Sequence, residues 1–197
     1  MSHYSLLVVG ENIKKQLEPF EESPKKKKYI QFKVEAPKKK FRQNAITIIK
    51  SLEGRDEVLK EKYEKLFKNK NYTRIFRSWY GGFKNKKGDW GYTHNPNAKW
   101  DWYEVGGRWQ GLLILKGSGV LSDSLTKKDI DFEEMKRQDK LTIFAVLKNG
   151  EWFEHGKMGW WGCVREEKEA KVWTEELSKL LDSIDDNELI TIVDCHI

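Results

Sequence analysis

The two most apolar strand-like runs of this chain stand near its two ends. Residues 4 to 9, within HYSLLVVG, and the stretch ELITIVDCHI at 188 to 197 both have the pattern of buried strands. Terminal segments this apolar are seldom left untied, so both are expected to lie in one main sheet, with Gly10 ending the first. Ahead of the last strand, residues 166 to 184 follow a helical period. Ala170, Trp173, Leu177, Leu180, Leu181 and Ile184 share its apolar side, and Asp185-Asp186-Asn187 stops it. A strand–helix start and a strand–helix–strand finish predict an α+β fold, a mixed or antiparallel sheet with helices on one face. It would be ferredoxin-like in one arrangement, with a large central insertion, and a different α+β sheet order fits the same pattern.

The segments between are less regular. Asn12 is placed to cap a short helix carrying Ile13, Gln16, Leu17 and Phe20. YIQFKVEAP alternates Ile30, Phe32 and Val34 inward, as an edge-like strand does. Asp56 is placed to cap a helix of about three turns with Leu59, Tyr63 and Leu66 on one side. From Tyr72 to Leu115 aromatics alternate with glycine and polar residues, which predicts short strands and ordered loops rather than long helices. Residues 125 to 136 read as a short helix capped by Ser124 or Thr126. LTIFAVL (141 to 147) reads as a buried strand that Lys148-Asn149-Gly150 turns into a hairpin.

Charge is divided unevenly along the chain. Residues 24 to 87 hold 21 Lys/Arg against 6 Asp/Glu, while the rest holds 16 against 25. The expected organisation is therefore a single domain over 1–197, with residues 21–90 as a lysine-rich insertion or subdomain. Lys25, Lys26, Lys27 and Lys28, then Lys38, Lys39 and Lys40, would form a basic surface able to attract a polyanion or an acidic protein. No window approaches the apolar length of a membrane span, so no membrane partner is expected. The N-terminal stretch lacks the pattern of a secretory signal, and Cys163 and Cys195 form no disulfide framework; a reduced, intracellular setting fits. HExxH and Cys-x-x-Cys are both missing, so neither a metal nor another cofactor is expected.

One segment concentrates chemistry. HNPNAKWDWYEVGGRW, residues 94 to 109, sets charged groups between indoles, where a pure core gains nothing from them. In a strand, Lys99, Asp101 and Tyr103 would face one way, with Trp100 and Trp102 facing the core. Gly106-Gly107 permits positive φ or a close backbone approach, by a ligand phosphate or by a neighbouring strand. Arg108 beside exposed backbone N–H groups suits an anion. His94, Lys99, Asp101, Tyr103 and Arg108 are the candidate catalytic set, with His94 as proton carrier and Lys99 and Arg108 stabilising the anion. Asn97, Gly106, Gly107, Arg108 and Trp109 are candidate ligand-binding residues, and Trp160 and Trp161 of GWWG would supply an opposing wall for a planar base. A structural network of the same residues is the competing reading.

The chain ends add a second constellation. In the last strand Asp194 and His196 share a face, with Cys195 on the other, and His3 opens the first strand. If those strands pair antiparallel with aligned ends, His3 comes near Asp194; otherwise it does not, and the sequence leaves the register open. A histidine pair is one of the two arrangements a nuclease or phosphotransferase would need, the other being carboxylates for magnesium.

HNPNAKWDWYEVGGRW, with MGWWG, HYSLLVVG and TIVDCHI, resembles a family of uncharacterised proteins encoded by bacteriophages and prophages. The matching residues are His94, Asn95, Asn97, Lys99, Trp100 and Asp101, then Trp102, Tyr103, Gly106, Gly107, Arg108 and Trp109. The resemblance implies a small protein made in the cytoplasm of an infected bacterium, acting on nucleic acid, a nucleotide or a host defence component. It assigns no roles to these residues. Three functions are thus expected as alternatives. The first is binding an anionic planar ligand, such as a nucleotide or single-stranded nucleic acid, in a role that could counter host defence. The second is inhibiting a host defence protein through the basic surface. The third is metal-independent hydrolysis of phosphodiesters.

Overall fold

The computed structural model describes residues 2–197, apart from the side chain of Trp160. The chain forms two compact units, residues up to Pro24 together with Asn97–Ile197, and Lys25–Pro96. Among the described residues no helix is long and apolar enough to cross a membrane.

The larger unit is an α+β structure on a mixed sheet. His3–Val9 runs antiparallel to Leu189–His196 along its whole length, from His3 opposite His196 to Val9 opposite Ile190. Ala145–Lys148 lies parallel on its other edge. The chain then turns through Asn149 (φ 53°) and Gly150 (φ 78°) into Glu151–Glu154, two left-handed residues of the kind that close a tight hairpin. The far edge of the last strand is shared end to end. Trp102–Val105 pairs with residues 193–196, and Ser124–Thr126 with 189–191. In a ferredoxin-like sheet another strand separates the parallel pair. Here the parallel strands are hydrogen-bonded neighbours, and the return strand of the hairpin lies outside them.

Both faces of this sheet are covered, which is why its central strands are continuously apolar. On one face Leu7, Val9, Val146, Ile190 and Ile192 meet Trp173, Leu177 and Leu181 of the helix Ala170–Asp182, and Met135 of the helix Phe132–Arg137. On the other, Leu6, Val8, Ala145, Leu147 and Val193 pack with Leu17 of the five-residue helix Ile13–Leu17, with Phe20 and with Trp100. Asn12 precedes that helix in a left-handed conformation and its side chain makes no cap. Residues 124–126 were expected to begin a helix and instead form a strand, because the last strand offers them unpaired backbone groups. The helix starts later, at Phe132, where the Asp131 carboxylate accepts the Glu134 N–H at 2.9 Å.

The smaller unit packs three helices against a three-stranded sheet. Gln31–Ala36 and Phe83–Lys84 flank Trp90–His94. Phe41–Ser51, Glu57–Lys68 and Tyr72–Tyr80 bury Ala45, Ile48, Tyr63, Ile75 and Phe76 against Ala36 and Trp90. Asp56 caps the second helix, accepting from the Leu59 N–H at 2.9 Å. Two expectations are corrected. Tyr72–Tyr80 is a helix rather than strand or loop, since its Ile75 and Phe76 fill this core, and Gly81-Gly82 only ends it. Phe32 and Val34 do not point inward: the register shifts between Val34 and Ala36, so Ala36 joins the helix-facing core while Phe32 and Val34 lie on the other face, Val34 43% exposed.

Candidate functional site

The boundary between the units falls inside the residue 94–109 segment. His94 and Asn95 belong to the smaller unit, where His94 pairs with Gln31 and its ring lies 5.9 Å from that of Tyr92. Asn97 opens the return into the larger unit. The expected row of Lys99, Asp101 and Tyr103 does not form, because the strand begins only at Trp102. Trp100 is buried, its indole N–H donating to the Leu17 carbonyl at 3.1 Å, whereas Trp102 is 50% exposed. Lys99 is held in an ion pair with Glu154 at 2.6 Å. Tyr103 packs edge-on against Trp100, and partial burial pushes its hydroxyl above the usual phenol range.

Asp101 leads to a different centre. Its backbone N–H donates to the His196 carbonyl at 2.9 Å, and its carboxylate lies 2.5 Å from His196 Nδ1. Directly across the central strand pair stands His3, whose Nδ1 is 2.9 Å from Asp194 Oδ1. The two imidazoles meet at 5.0 Å between centroids, inclined at 73°. Each ring therefore has a carboxylate at Nδ1. A carboxylate there holds the proton on Nδ1 and leaves Nε2 as the reactive nitrogen. His196 Nε2 is buried and has no hydrogen-bond partner among the described residues, a state that costs about 1–3 kcal/mol until something supplies a partner.

Gly107 seats this centre, while Gly106 makes room for the Asp123 carboxylate. Gly106 (φ 72°) and Gly107 (φ 53°) take left-handed conformations, and a Cβ on Gly107 would stand 2.4 Å from the Asp194 Cβ. The missing side chain lets the Arg108 N–H reach Asp194 Oδ2 at 3.1 Å. Asp194, 2% exposed, thus spends one oxygen on a backbone amide and the other on His3. The close approach expected of Gly106-Gly107 is made to a strand of the same unit. The Arg108 side chain is exposed and enters no ion pair among the described residues. Trp109 packs against the core.

The second aromatic segment reaches the same end of the sheet. Ser2 Oγ donates to the Gly159 carbonyl at 2.8 Å and accepts the Gly162 N–H at 2.6 Å, so the 160–162 turn is fastened to the residue beside His3. Trp161 is 82% exposed; the side chain of Trp160 lies outside the described residues. On the other flank Trp102 stands opposite His196. Burial pushes the Cys195 thiol far above its ordinary range, with the nearby Asp194 charge adding to the shift, so it is a small core residue and not a nucleophile. Lys25 to Lys28 and Lys38 to Lys40 are exposed on the smaller unit.

A cavity of about 690 Å³ beside the helix Ala170–Asp182 is not this centre. The one histidine in its lining, His155, has Nε2 on the Lys168 carbonyl at 2.8 Å and its ring stacked on Trp173. No group of three or more His, Cys, Asp or Glu side chains able to hold a metal ion occurs among the described residues. The site that emerges is His3, His196, Asp101 and Asp194, of which only Asp101 stood among the candidates of the central segment. Its signal was HYS at the start of one strand and DCH at the end of another, and what joins them is strand register. No family model matches the chain, and neither does any curated protein or solved structure.

Proposed function

We propose that the protein acts on a phosphodiester, in a nucleotide or a single-stranded nucleic acid, by acid–base chemistry carried on His3 and His196. The observation that supports this is the pair itself: two adjacent imidazoles, each with a carboxylate at Nδ1. One ring, neutral at Nε2, takes the proton of an attacking hydroxyl while that oxygen bonds to phosphorus. The other, protonated, gives its proton to the departing oxygen as the original phosphorus–oxygen bond breaks. Protons balance, and the two rings exchange protonation states. Asp194 and Asp101 fix the tautomers and stabilise whichever ring is charged, as orienting carboxylates do. Arg108, placed by its own amide beside Asp194, is the group available for the phosphate oxygens. The exposed Trp102 and Trp161, on the two flanks, are platforms for a base.

The test is turnover in the presence of a chelator. Dinucleoside monophosphates of both sugar types, and 2′,3′- and 3′,5′-cyclic nucleotides, would be incubated with the protein and the products read by mass spectrometry. Turnover is expected to persist without divalent ions. His3→Ala and His196→Ala should each lower it by roughly 10²–10⁴, the usual contribution of a positioned acid or base. Asp194→Asn should lower it too, because the Arg108 N–H claims the amide oxygen and turns the amide NH2 toward His3 Nδ1, favouring the wrong tautomer. Folded histidine variants that match the parent protein, or a parent protein that turns over nothing in the panel, would overturn the proposal.

A further inference from the structure

The sheet of the smaller unit has one face committed to its helices and one that is not. Ala36 and Trp90 belong to the helix-facing core. Phe32, Val34 and Phe83 do not: Phe83 is 48% and Val34 43% exposed. The register explains how they gather. Phe32 lies opposite Thr93, while Val34 and Phe83 both lie opposite Gly91, from the two sides. Gly91 is needed here, since a Cβ would fall 1.9 Å from the Lys33 carbonyl oxygen and 2.9 Å from the Phe32 ring. The Phe32 ring occupies the space where that side chain would stand, and Phe83 meets it edge-on at 5.5 Å and 65°. The result is a pair of inclined rings on the open face of the sheet, Phe83 exposed and Phe32 half-buried over the buried Gly91.

Its surroundings are strongly cationic. Residues 25 to 96 contain 21 Lys/Arg and 7 Asp/Glu. At the Val34 end of this surface an open hollow of about 750 Å³ is lined by Val34, Pro37, Lys38, Lys39 and Asp89. The ammonium groups of Lys38 and Lys39 enter no ion pair among the described residues, whereas Lys33 is occupied by Glu35 and the Tyr92 hydroxyl. An exposed aromatic sheet face marks an interaction site more often than it marks plain surface. Rings that lie open beside lysines match one class of ligand well: unpaired bases stack on the rings, and the phosphates between them are drawn to the ammonium groups. A duplex hides its base faces, and a protein partner would use the rings as apolar area and not as stacking faces. Lysine in place of arginine favours attraction without bidentate readout, hence weak sequence preference.

We propose that this face, with Phe32 and Phe83 set across Gly91 and Lys38 and Lys39 at its rim, is a stacking platform for single-stranded nucleic acid. The platform is independent of the histidine pair, and its test reads binding rather than turnover. Fluorescence anisotropy with labelled twelve-nucleotide oligo-dT and oligo-U, against a duplex of equal length, measures it directly. Single strands should bind more tightly than the duplex. Phe83→Ala should weaken them roughly five- to hundredfold, the worth of one stacked base. Phe83→Trp should preserve binding and Phe83→Leu should not, because the ring face and not its apolar area is what is used. Lys38→Ser with Lys39→Ser should flatten the dependence of log affinity on log salt by about 0.7 for each phosphate that is no longer neutralised. Phe83→Ala should leave turnover of a cyclic nucleotide unchanged, so failure of either proposal is seen separately. Equal affinity of folded Phe83→Ala and parent protein for oligo-dT and oligo-U overturns the platform. So does full retention in Phe83→Leu, which is how a hydrophobic protein-docking surface would behave.

Discussion

Replacing Gly107 by alanine tests the construction of the histidine centre without touching either histidine. The backbone there has φ +53°, and the new Cβ would stand 2.4 Å from the Asp194 Cβ and 2.7 Å from Oδ2. Two effects are added. A left-handed alanine costs about 1–2 kcal/mol relative to glycine. Pressing a methyl into a filled site costs about 1–3 kcal/mol more, and the shift draws the Arg108 N–H off Asp194. Gly117 separates these effects. It has φ +76° with nothing within 4 Å of a Cβ, so Gly117→Ala carries only the backbone strain. Urea unfolding followed by tryptophan fluorescence should place Gly117→Ala about 1–2 kcal/mol below the parent and Gly107→Ala about 2–5 kcal/mol below it. Nitrogen-15 spectra should show the His3 ring losing its fixed tautomer in the second variant alone. If the two alanine variants are equally destabilised and His3 is unchanged in both, the glycine does not serve to seat Asp194, and the reasoning fails.

Three further outcomes follow from burial and capping. Burial raises the Cys195 thiol and the Tyr4 hydroxyl above their ordinary values, so the unfolded chain releases these protons more readily than the folded one. Stability from both groups is complete below about pH 9 and declines as pH rises beyond it, a slope that urea midpoints between pH 8 and pH 11 would reveal and that Cys195→Ala would lessen. In the native protein a thiol reagent should label the exposed Cys163 and leave Cys195 until unfolding. Asp56→Ala removes the acceptor of the Leu59 N–H and should destabilise the helix Glu57–Lys68 by about 1 kcal/mol, measured as a lower urea midpoint.

Much of the fold is legible from local pattern. The buried first and last strands, the Asn149-Gly150 hairpin, the Asp56 cap and the apolar side of the last helix all follow from periodicity and turn chemistry, which act over a few residues. Trp173, Leu177 and Leu181 are buried as their spacing requires. The segments that depart from their local pattern are those where a distant partner outweighs local preference. Residues 124–126 become a strand because the last strand has an open edge, and Tyr72–Tyr80 becomes a helix because Ile75 and Phe76 complete a core. Trp100 and Trp102 break their expected alternation because regular pairing starts only at Trp102.

The same division holds for the site. From the sequence alone, Asp194 and His196 must share a strand face, His3 must open another strand, and Gly106-Gly107 must allow a close approach. All three statements depend on neighbours in the chain. Whether His3 meets Asp194 depends on the register between strands at opposite ends of the chain, and a shift of a single residue would turn His196 to the opposite face. That register is settled by packing, with Leu7 beside Ile192 and Val9 beside Ile190 under one helix, and Leu6 beside Val193 on the other face. The sequence therefore determined which side chains could react, and the buried apolar contacts of the sheet decided which of them stand together.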